Sequence, residues 1–299
     1  MEYNLYRSEE KIEPWRFRHG LLLFLTVLAT LLAGTTFLPR FADYGLFGYF
    51  ARLWHSPALL LLGAPYAVPL LLILGVHEMG HFLTASKYGV RVTWPYFIPG
   101  PPFFSLGTFG AFIRLKSPIR TRGNLLEIGA NGPIWGSFAS LLVALAGFWL
   151  SAVGFRMPAD LGFNVHLPIA YWLLQGTFGM GWSFTLTFFP NPVLFAAWIG
   201  FFVQGINLMP IGQLDGGHVL YALAGGRHRL VSMSVGILFL LFAIFHPQWI
   251  LWVLLIFIVL GLRHPPCIDD SIPLTKRQVS MGMLCVLLFV LTFLPVPFA

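Results

Sequence analysis

The residues of this chain best suited to chemistry lie in positions 75–81, which read Gly-Val-His-Glu-Met-Gly-His. This is an H-E-x-x-H sequence inside an apolar run. On an α-helix, His77 and His81 are one turn apart and project from the same face, so both imidazoles can bind one zinc ion. Glu78 lies beside them, where its carboxylate can take a proton from a water on that zinc. The spacing therefore predicts two metal ligands and a general base.

The surroundings of this pattern make it more specific than five residues alone. Between positions 66 and 82, Glu78 is the only charged side chain. A carboxylate in such an environment is costly unless a metal or a partner holds it. The alternative interpretation is a pair of histidines bonded to neighbouring helices and a glutamate kept neutral.

The composition indicates a membrane protein. Of the 299 residues, 57% are hydrophobic and only 10% are charged, whereas soluble chains are about 45–50% apolar. So few charges cannot cover a soluble surface, so most of the surface must face lipid. The net charge of +7 is explained by membrane topology, and we expect no nucleic-acid partner. The two cysteines have no metal spacing and form no disulfide framework.

The length of the apolar runs predicts an all-α multi-pass membrane protein of about six to seven membrane segments, since a spanning helix needs about 20 residues. We place these segments at 19–38, 66–87, 125–155, 184–206, 230–245, 248–262 and 279–298. The remaining stretches are an interfacial or re-entrant piece at 47–63, a loop with amphipathic parts at 156–181 and a half-helix at 219–225.

A small β hairpin is predicted after the metal-binding helix. Prolines 95, 99, 101 and 102 exclude a helix there, and residues 107–115 place aromatic and β-branched side chains in partial alternation. The edge of such a strand can bind an extended peptide. The alternative is a hairpin that only closes the mouth of a cavity.

The lysines and arginines predict the orientation of the chain. Fifteen of the 18 fall in segments 1–18, 87–122, 227–229 and 263–277. By the positive-inside rule these segments are cytoplasmic, which predicts a protein of the cell (inner or plasma) membrane with its amino terminus inside. The distribution also requires residues 230–262 to form a hairpin at His246-Pro247.

A catalytic zinc usually has three protein ligands, and Asp215 is the best candidate for the third. It is the other acidic residue set deep in a predicted membrane segment, and intramembrane carboxylates are functional hypotheses by default. Pro210 and glycines 212, 216 and 217 interrupt the helix around it, as happens where the backbone lines a cavity. Spacing alone cannot establish that Asp215 meets the histidines.

Together these motifs resemble a known family. H-E-x-x-H combined with N-x-x-P-x-x-x-L-D-G, which begins here at Asn207, is similar to the site-2 protease family of intramembrane zinc metalloproteases. The strings at 105–110 and 210–218 are most similar to its compact prokaryotic and chloroplast-type branch. The resemblance covers about residues 66–228. Trp135 departs from it, because a smaller residue is expected there, and this puts local helix packing in doubt.

The resemblance implies that one zinc per chain is bound by His77, His81 and Asp215 and that Glu78 activates water. Asn207 is expected as an oxyanion donor or substrate clamp, or else its amide satisfies carbonyls of the broken helix. His218 is either a supporting group of the site or an ordinary polar helix residue.

The implied function is hydrolysis of peptide bonds within or near transmembrane helices of proteins in the lipid bilayer. The alternatives are a transporter or ion channel with a structural zinc and an inactive zinc scaffold. We expect a single membrane-embedded domain over 1–299 with its catalytic core at 66–228, and no PDZ-like or carboxy-terminal regulatory domain. The sequence leaves the oligomeric state open.

Overall fold

The structure is a computed structural model that describes residues 12–36, 38, 45–102, 106–155, 159–179, 183–254 and 264–297. These residues are mostly helical. Their α-helices are α1 (Phe17–Thr36), α2 (Gly45–His55), α3 (Ala64–Lys87), α4 (Arg122–Ala152), α5 (Ile169–Thr177), α6 (Pro192–Asn207), α7 (Asp215–Ala224), α8 (His228–Phe245), α9 (Ile250–Leu254) and α10 (Lys276–Thr292). Their strands are β1 (Tyr96–Pro99), β2 (Thr108–Phe112), β3 (Ala159–His166) and β4 (Thr185–Phe189).

Four helical segments within the described ranges are long and apolar enough to cross a membrane: Phe17–Thr36, Pro57–Lys87, Arg122–Ala152 and Asp215–Phe245. This confirms a helical membrane protein, while the count of six to seven segments is not confirmed. The predicted piece at 47–63 forms α2 and a 3₁₀ turn that leads into α3. Of the predicted arm 248–262, residues 255–262 lie outside the described part of the chain.

The predicted segment 184–206 is wrong in its first eight residues. Residues Thr185–Phe189 form β4, and α6 begins only at Pro192, where the Asn191 side chain caps it by accepting from Leu194 N. The remaining 16 residues reach about 24 Å, which is short for a bilayer. Most α6 side chains are buried in the protein, so its apolar character reflects the core.

The predicted hairpin is confirmed. Strands β1 and β2 pair antiparallel, with Tyr96 opposite Phe112, and an isolated bridge between Val92 and Leu115 extends the pairing. A second two-stranded antiparallel sheet, β3 with β4 on either side of α5, differs from the loop predicted at 156–181. Its signal was present, since residues 159–166 alternate apolar and polar or glycine positions, the period of a strand.

The basic segments meet at one end of the molecule. Glu13 N donates to the Val92 carbonyl at 3.1 Å, and its carboxylate lies 2.9 Å from Lys116 Nζ. Segment 268–269 donates two backbone bonds to 119–120. The rings of His228 and His264 are 5.7 Å apart, so the first residue of α8 and residue 264 lie at this same end, while the predicted hairpin includes residues 255–262, which lie outside the described part of the chain.

This grouping leads to a prediction of membrane sidedness. We expect residue 117 on the side of the amino terminus and residue 160 on the opposite side. Single cysteines at Ser117 and Asp160, in a background without Cys267 and Cys285, are treated with an impermeant thiol reagent in sealed membranes of known orientation. Reagent on the side opposite the amino terminus should label position 160 alone; labelling of position 117 alone would contradict the orientation.

The centre of the fold is built around α4, the longest of the described helices. Helix α3 packs along α4, which also contacts α6 and α7. The main apolar core lies between α3, α4 and α6 and includes Ile73, Ala144 and Ile199, all nearly inaccessible. This packing brings the H-E-x-x-H helix and the broken helix to the same region of the molecule.

Candidate metal centre

Three side chains from two distant parts of the chain converge on one point. The two Nε2 atoms of His77 and His81 are 3.1 Å apart. Asp215 Oδ2 lies 3.3 Å from each of them. Both histidines are buried, and the Asp215 side chain is only 16% exposed. The tertiary contact that spacing could not establish is therefore present.

The hydrogen bonds of the two rings indicate which atoms face this point. His81 Nδ1–H donates to the carbonyl oxygen of Ile128 at 2.7 Å, and His77 Nδ1–H donates to Gln204 Oε1 at 2.8 Å. With these protons on Nδ1, the neutral rings present lone pairs from Nε2. Two lone pairs and a carboxylate oxygen facing one another repel unless a cation lies between them.

The donor set fits zinc. Imidazole nitrogen and carboxylate oxygen are usual zinc ligands, and a tetrahedral ion with bonds of about 2.1 Å separates its ligand atoms by roughly 3.4 Å. The distances of 3.1 and 3.3 Å agree with this spacing. Each ring also has an acceptor for its other nitrogen, an arrangement that metal-binding histidines almost always have. Zinc binding by these three residues stays a prediction.

The interruption between α6 and α7 places Asp215. Residues 208–214 turn through hydrogen bonds such as Ile211 N to Met209 O and Leu214 N to Ile211 O, and α7 begins at Asp215 itself. A side chain at position 216 would put its Cβ 2.0 Å from the carbonyl oxygen of Leu208. Glycine is therefore required for the turn to pack against the start of α7.

A row of glycines on α4 makes room for the site. A Cβ at Gly132 would lie 2.0 Å from His81 Nε2, and one at Gly136 would lie 2.5 Å from Gln204 Nε2. At Gly129 it would lie 2.8 Å from His218 Cβ. Residues three and four apart share a helix face, so one face of α4 lacks side chains where the site residues approach.

Trp135, the departure from the family pattern, lies on α4 as well. It is 50% exposed and lies edge to face with Phe138 at 5.9 Å. About half of this large side chain therefore lies at the surface of the protein.

Glu78 is buried beside the converging atoms. Its Oε1 lies 3.9 Å from His77 Nε2, which is too long for a hydrogen bond. The backbone of Ile113 lies near the carboxylate. Ile113 immediately follows β2, so the hairpin lies beside Glu78 and the three-residue cluster.

Asn207 lies at the end of the helix that carries Gln204. It is the last residue of α6 and is half-buried. It follows Gln204 by three positions and therefore lies on the same helix face, toward the site. Its role as oxyanion donor or substrate clamp stays a prediction.

His218 is held by a residue from a remote segment. Burial lowers the pKa of His264, and its Nδ1–H donates to the Pro265 carbonyl at 2.6 Å. Its Nε2 therefore accepts the Nδ1–H of His218 at 2.6 Å. A neutral His218 is left with an acceptor at Nε2, which favours a supporting role over donation to an oxyanion.

Sequence reasoning missed Gln204, Ile128 and the glycine face. The glycines carry a signal, because positions 129, 132 and 136 repeat at helical spacing. Gln204 also carries a signal, because it is a polar residue inside an apolar run. The Ile128 carbonyl has no sequence signal, since any residue offers one.

Comparison with known proteins gives a family match. The profile described as peptidase family M50 matches residues 65–244. The probable chloroplastic zinc metalloprotease EGY2 of Arabidopsis thaliana is 34% identical over 244 residues, covering 79% of this chain and 42% of the relative. EGY1 from the same plant is 31% identical over 240 residues, covering 78% and 43%. EGY2 of Oryza sativa subsp. indica is 30% identical over 240 residues, covering 76% and 41%.

The chain thus spans about two fifths of the length of these relatives. Their names place them in chloroplasts, so the comparisons do not support the cell membrane that the sequence predicted. A membrane location agrees with the long apolar helices.

Proposed function

Because the chain belongs to peptidase family M50, we propose that it is a zinc metalloendopeptidase of the site-2 protease type, which hydrolyses peptide bonds within or near transmembrane helices. The observation that carries this proposal is the convergence of His77, His81 and Asp215, with Glu78 buried beside them. Such a cluster set among membrane-length helices fits hydrolysis at membrane depth.

In this proposal each residue has a defined task. When bound, zinc supplies a Lewis acid and lowers the pKa of a water ligand to about 7. His77, His81 and Asp215 would hold the ion. The Glu78 carboxylate accepts the proton of the attacking water and passes it to the leaving amine. The peptide C–N bond breaks, a C–O bond forms, and the proton ends on the amine.

The substrate proposed is a membrane-spanning protein whose helix unwinds locally. Strand β2 has β1 as neighbour on one side, and the described residues place no strand on the other. The Arg114 carbonyl accepts from Thr93 N on the β1 side. Because backbone groups of a strand alternate between its two sides, those of Ala111 and Ile113 face the open side, where Ile113 lies near Glu78. An extended substrate paired there would run directly to Glu78.

A carrier or channel with a structural zinc is the competing function. It has no need for a buried carboxylate beside the metal ligands. Glu78 is buried 3.9 Å from His77 Nε2, which favours the enzyme. The family match points the same way.

Cleavage of a membrane-spanning reporter by the purified protein tests the function. We expect the protein to cut the reporter, to lose this activity when a chelator removes zinc, and to regain it when zinc is added back. A zinc-loaded protein that leaves every membrane-spanning reporter intact would contradict the proposal. The same protein moving ions across vesicle membranes would support the carrier.

The same assay examines the open edge of β2. Ala111→Pro removes one backbone N–H, which an edge strand tolerates. We expect kcat/KM to fall by about 3–10-fold, the usual range for one lost hydrogen bond, with zinc content unchanged. Ala111→Ser retains the N–H and should behave as wild type. Equal rates for the proline and serine variants would count against edge pairing.

A further inference from the structure

Gln204 is an unusual residue for the centre of an apolar helix. It is completely buried, and its Oε1 accepts the Nδ1–H of His77 at 2.8 Å. Its other amide atom, Nε2, has no hydrogen-bond partner among the described residues. A leucine would avoid burying an unsatisfied nitrogen. What glutamine supplies at this position is the acceptor that faces His77.

The two histidines of the cluster are held by different kinds of group. His81 donates to a main-chain carbonyl, that of Ile128, which no substitution removes. His77 depends on a side chain from another helix. A single side-chain substitution can therefore remove the acceptor that orients His77, but not the acceptor that orients His81.

The protein provides a space shaped for this amide. A Cβ at Gly136 of α4 would lie 2.5 Å from Gln204 Nε2 and 2.7 Å from Oε1. The glycine lets the amide lie against the α4 backbone, where it cannot turn freely. The acceptor oxygen is thus held in place by packing as well as by its hydrogen bond.

We infer that Gln204 is a positioning residue of the metal centre: its Oε1 fixes the His77 tautomer with the proton on Nδ1 and so presents Nε2 to the ion. The inference rests on the metal centre of the proposed function. An acceptor at this position keeps the ring from rotating and makes the Nε2 lone pair available without a tautomer change.

The test is the zinc affinity of the full chain in detergent, measured by competition with a chelator. Gln204→Leu should bind zinc about 10–100-fold more weakly, as is typical when the partner of a metal-binding histidine is removed. Gln204→Glu, which keeps an oxygen acceptor, should retain an affinity close to wild type. Gly136→Ala pushes the amide from its space and should weaken binding as well.

The matched control is Gln175→Leu, which removes the other buried glutamine of the described residues, on α5. It should leave zinc affinity unchanged. Thermal unfolding of the zinc-free proteins separates positioning from simple structural support. We expect Gln204→Leu to unfold at or above the wild-type temperature without zinc, and to gain less stability when zinc is added.

Two outcomes would overturn the inference: wild-type zinc affinity in Gln204→Leu, or a lower zinc-free unfolding temperature with an unchanged gain on adding zinc. His77→Ala distinguishes this failure from failure of the metal centre. If His77→Ala loses affinity and Gln204→Leu does not, only the role of Gln204 is wrong. If His77→Ala also binds as wild type, the metal centre itself is wrong.

Discussion

Glu78→Gln is expected to reduce cleavage of a membrane-spanning substrate by about 10²–10⁴-fold, the range for loss of general acid–base catalysis. The amide has the size of the carboxylate and keeps an oxygen that can accept a hydrogen bond. It cannot accept the proton of the attacking water. Single-turnover cleavage of a reporter in detergent or in liposomes measures the effect.

Zinc content distinguishes a chemical defect from a lost ion. Glu78 lies beside the cluster and is not one of its three converging groups, so Glu78→Gln should bind zinc as wild type does and still capture substrate. His81→Ala is the comparison that should lose both the ion and the activity. Cleavage at the wild-type rate by zinc-loaded Glu78→Gln would rule out this residue as general base.

Gly132→Ala is expected to remove most zinc binding although it adds only a methyl group. The new Cβ would lie 2.0 Å from His81 Nε2, so either the ring or α4 must move. Displacing one of three ligands should lower the affinity by about 10²-fold or more. Wild-type protein should carry about one zinc, and metal analysis after gel filtration should show little in the variant.

Gly75→Ala is a matched control on α3, two residues before His77. Its Cβ would lie 3.8 Å from the Phe97 ring, which is ordinary contact. Alanine is favoured over glycine in a helix by about 1 kcal/mol, so this variant should retain zinc and be no less stable. If Gly132→Ala also retains zinc and activity, then α4 does not pack against His81 as closely as the structure indicates.

Local sequence patterns predicted the long helices better than the irregular segments between them. The segment 66–87 agrees with α3 to within two residues, because a long apolar run leaves few alternatives. Pro190 and Pro192 indicate that 184–206 is not one helix, because proline is disfavoured in a helix interior. The strand β4 before them was assigned to the membrane because its Phe and Leu residues suit either environment.

The sequence by itself determined the chemistry available to this protein. Helical spacing places His77 and His81 on one face with Glu78 beside them, and this follows from the local repeat of 3.6 residues per turn. Composition required a membrane environment, since so few charges cannot solvate a surface. The motif at 207–216 pointed to Asp215 through resemblance to a family. The family match confirms the resemblance, and the role of Asp215 stays a prediction.

Only the tertiary structure decided which groups meet. The 3.3 Å approach of Asp215 to both histidines, the bond from His77 to Gln204 and the fit of His81 against Gly132 all depend on how α3, α4, α6 and α7 pack. Such contacts join residues far apart in the chain, and no local periodicity encodes them. They depend on which helix faces lack side chains and can approach closely, and this is a property of the packed molecule.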